Sequence, residues 1–143
     1  MKDYHNKVRT LNVIAPVAIG ANATKTGKII DRSGYDGIEF ICGWGAVTTT
    51  GSIDTLVMFE GDVTGTMTSV ADADMLGTEL LGSLIATTPR TSGTSKNYTT
   101  RVGYSGAKRY VRVDAVSAGT TSVGCVSVTA LMHSPVVAPT LNP

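Results

Sequence analysis

Three runs of this chain place unlike side chains on opposite faces at period two, the spacing of a β-strand, whose successive side chains point to opposite sides. In "GIEFICGWGAV", Ile38, Phe40, Cys42 and Trp44 share a face, opposite Glu39, Ile41 and Gly43. In "AKRYVRVDAV", Val111, Val113 and Ala115 lie opposite Lys108, Tyr110, Arg112 and Asp114. In "VGCVSVTALMH", Val126, Val128, Ala130 and Met132 alternate with Ser127, Thr129 and Leu131.

Weaker signals fill in the rest. A strand is predicted around Leu11–Ile19, and Pro16, which has no amide proton, puts it at a sheet edge or bends it there. "GKIIDRSGYDG" reads as a short strand and a turn. "IDTLVMFEGD" is a strand with Leu56 and Met58 opposite Val57 and Phe59. The polar "TTTGS" before it predicts a hairpin with the Ile38–Trp44 strand. "YTTRVGY" leads through "SG" into the Lys108–Ala115 strand as a second hairpin. "SVADADMLGTELLGSLI" is helix-like, but Gly77 and Gly82 argue against a long helix. It reads as a single turn capped by Asp72, or a loop, anchored by Leu80, Leu81 and Ile85. "TTPRTSGTSKN" is a loop.

Length and composition agree with this picture. The chain has 143 residues, 16 glycines, 16% charged and 6% aromatic residues, a mixture that favours strands joined by tight turns. The predicted fold is all-β: one β-sandwich or jelly-roll-like barrel over residues 11–133. An N-terminal arm covers 1–10, and a proline-rich C-terminal arm covers 134–143. So few charges point to burial in an oligomer or larger assembly.

A net charge of +1 gives no global field for nucleic acid or an anionic membrane, so neither is an expected partner. No run reaches the roughly eighteen apolar residues of a membrane-spanning helix. "MKDYHNKVRTLNVIAP" lacks the apolar stretch of a secretory signal. Cys42 and Cys125 are accordingly read as reduced core thiols, and the sequons at Asn22 and Asn97 as chance matches. Catalytic patterns fail. His5 and His133 sit at opposite ends, and Ser105 in "GYSGA" lies in a strand–turn–strand context. The Gly27–Lys28 pair is followed by Ile29 where a phosphate loop needs a hydroxyl. Asp72 and Asp74 lack the further ligands of a calcium loop, and Trp44 shares its face with core residues. No enzyme activity, cofactor or metal is expected.

"RVGYSGAKRYVRV" stands out because Arg101, Lys108, Arg109 and Arg112 occur with no acid among them. Lys108 and Arg112 flank Tyr110 on one face. Arg109 starts the apolar face, where a long side chain reaches the sheet rim, and Arg101 is expected across the hairpin. One reading is a solvated face whose arginines pair with Asp114 and nearby acids. The other is a protein interface formed by Arg101, Lys108, Tyr110 and Arg112, since Arg and Tyr are enriched where proteins bury against one another.

"GYSGAKRYVRV", then "GTTS", then "ALMHSPVVAP", together with "GYDGIEFICGWGAVTTTGSIDT", resembles small β-rich virion proteins of tailed bacteriophages, over about Gly34 to Pro139. The nearest comparison is with capsid decoration, or cement, proteins. The resemblance implies a non-enzymatic protein on the capsid surface of the virion, made in the host cytoplasm. It implies binding across subunits of the major capsid protein, as a homo-oligomer with a trimer favoured, terminal arms reaching onto neighbours. A neck or tail component is the alternative within that class, and a carbohydrate- or receptor-binding β-sandwich the alternative outside it. Around His133 the chain departs from the group, which more often has glycine and a basic residue there, so the resemblance assigns His133 no role.

Overall fold

The computed structural model describes residues 4–20, 22–45, 53–79, 98–118 and 124–137. Among these, ten strands form: β1 (Val8–Ile19), β2 (Thr24–Lys25), β3 (Ile30–Asp31), β4 (Tyr35–Trp44), β5 (Ile53–Val63), β6 (Thr66–Ser69), β7 (Met75–Leu76), β8 (Tyr98–Tyr104), β9 (Tyr110–Ala118) and β10 (Gly124–Pro135). They make two antiparallel sheets packed face to face, a β-sandwich and not a closed barrel. The first sheet runs β1-β10-β4-β8-β7. The second runs β2-β9-β5-β6, with β3 also on β9.

The period-two reading holds for the core. Ile38, Phe40, Cys42 and Trp44 of β4 are buried, as are Val126, Val128, Ala130 and Met132 of β10 and Val111, Val113 and Ala115 of β9. Register matches large side chains to smaller neighbours: Phe40 lies between Ala130 and Val102, and Cys42 between Val128 and Thr100. Trp44 is a core residue whose indole Nε1–H donates to Thr100 Oγ1 at 2.8 Å, satisfying the one polar atom it takes inward.

β1 is an edge strand, one of the two outcomes Pro16 allows. Its pairing with β10 shifts register between Asn12 and Ile14 and again between Ile14 and Val17, so proline costs no ladder bond inside a sheet. The strands overrun the predicted arm boundaries. β1 begins at Val8 and β10 continues to Pro135, because Val8 pairs with His133 and Pro135 with Tyr35.

Both predicted hairpins are corrected. β4 already has β10 on one side and β8 on the other, so β5 pairs with β9 in the opposite sheet. β8 and β9 likewise belong to different sheets. Chain proximity favours hairpins, but β4 is flanked by β10 and β8, and β9 by β5 on one side and by β2 and β3 on the other, so each connection crosses to the opposite sheet. Asp72–Asp74 is a single 3-10 turn, with Ala71 and not Asp72 at its cap position. Leu80, Leu81, Ile85 and the loop "TTPRTSGTSKN" lie outside the described residues.

The two thiols also part company. Cys42 is buried and Cys125 is exposed, because Cys125 falls on the outward side of β10, in step with Ser127 and Thr129. Reading it as a core thiol is therefore overturned. Burial pushes the Cys42 thiol up to about 12, against a smaller opposing effect of its hydrogen bond with Thr100. Since the thiolate is the nucleophile, one thiol per folded chain should react with a maleimide at neutral pH, at Cys125. The second should become reactive only in denaturant, as resolved by mass spectrometry.

Candidate functional site

The four residues of the predicted interface do not form one patch. Arg101 is on β8 in the first sheet, 81% exposed, with Nε 3.8 Å from Glu39 Oε1. Lys108 precedes β9, in the connection that crosses between the sheets, and its Nζ lies 2.5 Å from Asp62. Tyr110 begins β9, with the Arg109 guanidinium 5.1 Å from its ring centre. Arg112 faces both carboxylate oxygens of Asp114, at 2.9 and 3.0 Å, and stacks on Phe59. The placement of Arg101 across a hairpin fails because no hairpin exists there.

Each cation of the run finds an acid distant in sequence or two residues along. Arg109 binds Asp31 in a two-pronged contact at 2.9 and 2.6 Å, which holds the Asp31 carboxyl below the ordinary carboxylate range. The Asp62 carboxylate raises the Lys108 ammonium in the same way. Exposed pairs of this kind add little to stability, but they cancel the local charge. Asp114 is different: it is buried, and its Oδ1 also accepts the Gly27 N–H at 3.0 Å.

Sequence reasoning missed the group that shapes the β8–β9 connection. The Tyr104 ring is buried at the end of β8 and its hydroxyl donates to Glu60 Oε2 of β5. The same hydroxyl accepts the Lys108 N–H at 3.0 Å. Arg32 stacks on the ring at 5.1 Å. Its guanidinium donates to three carbonyls: Lys108 at 2.6 Å, Gly106 at 2.5 Å and Asp36 at 3.0 Å. The fixed fork of arginine suits several acceptors at once. Gly106 packs where any Cβ would overlap the Tyr104 hydroxyl. The sequence masks this role, because Arg32 lies in the turn "DRSGYDG" between Asp31 and Asp36, where a local ion pair is the simpler reading.

Burial, reinforced by the Glu60 hydrogen bond, pushes the Tyr104 hydroxyl up to about 12. A phenol whose proton is held more tightly when folded stabilises the protein fully below its unfolded value near 10. That contribution is lost as pH rises from about 10 towards 12, since the folded state then holds the extra proton. The expected outcome is a fall in the urea midpoint across that window that is smaller in Tyr104→Phe.

This connection lies at one end of the sandwich. There β1 begins at Val8 opposite His133, β10 ends at Pro135 opposite Tyr35, and β8 ends at Tyr104 opposite Ile38. In the second sheet β9 begins at Tyr110 opposite Gly61 and Asp31. The segments before β1 and after β10 therefore leave from the same end. The Val136 N–H ties the latter to Gly34 O at 2.9 Å. Most of the exposed large apolar residues described are here: Tyr4, Val63, Val136 and Val137, while Leu76 lies on β7 at the sheet edge opposite β1.

Set against known proteins, this chain matches no family model and no curated protein. No helix among the described residues is long and apolar enough to cross a membrane.

Proposed function

We propose that the chain is a non-enzymatic structural protein of a phage virion that docks through this end of the sandwich onto the capsid. The observation that carries the reading is the gathering of exposed apolar side chains where both terminal segments emerge, with Val136 71% and Val137 78% exposed. Apolar side chains rimmed by polar groups are the make-up of a protein contact. Of the neighbouring charges, Lys108 and Arg109 are already paired with Asp62 and Asp31 within the chain, so docking leaves fewer ions to desolvate unpaired. The sequence resemblance to decoration proteins supports the same reading.

The mechanism is thermodynamic. A protein that binds major capsid protein subunits in the assembled shell, and not when they are free, stabilises the shell by mass action. In a trimer, three copies bound together raise the effective affinity without any single strong contact. Purified protein added to mature heads that lack it is expected to bind and raise their rupture temperature by several degrees, read by dye release on heating. Replacing both Val136 and Val137 by Asp should weaken that binding at least tenfold while the thermal midpoint of the free protein stays within a degree or two. An unchanged rupture temperature at saturating protein would overturn the reading.

A further inference from the structure

At the same end, a cavity of about 260 Å³ is lined by Tyr4, Lys7, His133, Ser134 and Pro135. It forms because the single turn His5–Lys7 sits where β1 leaves β10, so the two segments face each other across a gap. Three features set it apart from an ordinary crevice.

First, none of its lining residues is acidic, and Lys7 has no carboxylate partner among the described residues, unlike Arg101, Lys108, Arg109 and Arg112. Second, the His133 ring is laid against Gly37, where any Cβ would overlap the imidazole. Its Nδ1 is 3.1 Å from Ser134 Oγ. Third, Ser134 has φ +54°, in the left-handed region that residues with a Cβ seldom occupy. The residue before a proline is normally held extended, so Ser134 is strained on two counts. Strain of this kind in a non-glycine residue gathers at ligand sites.

We infer that this cavity binds a carboxylate. With the Ser134 hydroxyl donating to His133 Nδ1, the ring carries its proton on Nε2, and that N–H, the Lys7 ammonium and the Tyr4 hydroxyl are the donors for two carboxylate oxygens, while one fixed positive charge suits a monoanion. Tyr4 and Pro135 supply the apolar part of the lining. The carboxylate comes either from an acidic side chain of the docked shell or from a free small acid. The first source rests on the function proposed above, whereas binding itself does not.

The test is a titration of the isotope-labelled full chain, following the Gly37, His133 and Ser134 amides by NMR. The probes are sodium acetate, the blocked peptide acetyl-Gly-Asp-Gly-amide and sodium phosphate, each against sodium chloride at matched ionic strength. Saturable shifts with acetate are expected, weakened at least tenfold in Lys7→Met. A peptide binding tenfold tighter than acetate assigns the site to a partner chain, and equal affinity assigns it to a free acid. Ser134→Gly should raise the thermal midpoint by relieving the backbone while weakening acetate at least fivefold, a split that a purely structural role does not produce. Shifts that match chloride, Lys7→Met or Ser134→Gly binding like the parent, or phosphate saturating before acetate would overturn the inference. Failure of the head-binding assay alone would leave it standing.

Discussion

Gly27→Ala is expected to cost about 3 kcal/mol of folding stability, combining the penalties of overpacking and of a broken buried hydrogen bond. Gly27 sits between β2 and β3, which pair with β9 at Thr24↔Val116, Lys25↔Ala115, Ile30↔Val111 and Asp31↔Tyr110. A Cβ there would run into the Val113 carbonyl oxygen, a backbone atom that cannot swing aside, and into Val13 Cγ1 at 2.8 Å. Moving the segment away would also break the Gly27 N–H contact with Asp114 at 3.0 Å and the Lys28 N–H contact with Val13 O at 3.0 Å. The first bond ties the segment to β9 within its own sheet and the second ties it to β1 of the other sheet, so part of the loss falls on the closure of the sandwich. Gly65→Ala is the control: nothing lies within 4 Å of its added Cβ, and its effect should stay within about 0.5 kcal/mol. Urea midpoints of the two variants, compared with the parent, decide the matter.

Arg32→Ala is expected to cost about 2–3 kcal/mol, since a charged donor to three carbonyls is removed in a partly buried place. The sharper expectation is that Arg32→Lys recovers little of it. A lysine ammonium cannot span the Lys108, Gly106 and Asp36 carbonyls or stack flat on the Tyr104 ring. Hydrogen exchange should show the loss locally, with faster exchange at the Lys108 amide, which Tyr104 otherwise holds. A Lys variant as stable as the parent would mean that charge alone, and not the fork, orders the connection.

The sequence disclosed which side chains go inward far better than it disclosed which strands meet. Alternation within "GIEFICGWGAV" names Ile38, Phe40, Cys42 and Trp44 as one face whatever their neighbours are, because the pleat alone decides it. The same parity places Cys125 on the outward face with Ser127 and Thr129, so the sequence carries its exposure. Pairing is a contest among all available edges. That β4 takes β10 and β8 depends on Phe40 meeting Ala130 and Val102, residues scattered along the chain.

The candidate site was less legible for a related reason. An acid-free run looked like a free cationic patch, yet Lys108 meets Asp62 and Arg109 meets Asp31 only once β5 and β3 have paired with β9. Tyr104, Arg32 and Glu60 converge from three separate elements. No local pattern announces such a meeting.

The two register shifts and Pro16 in β1 have a consequence for life in a crowd. A long straight border strand invites copies of the same molecule to zip together into fibres, and irregular pairing with a missing amide blunts that invitation. Copies of this chain at high local concentration can then remain separate folded units.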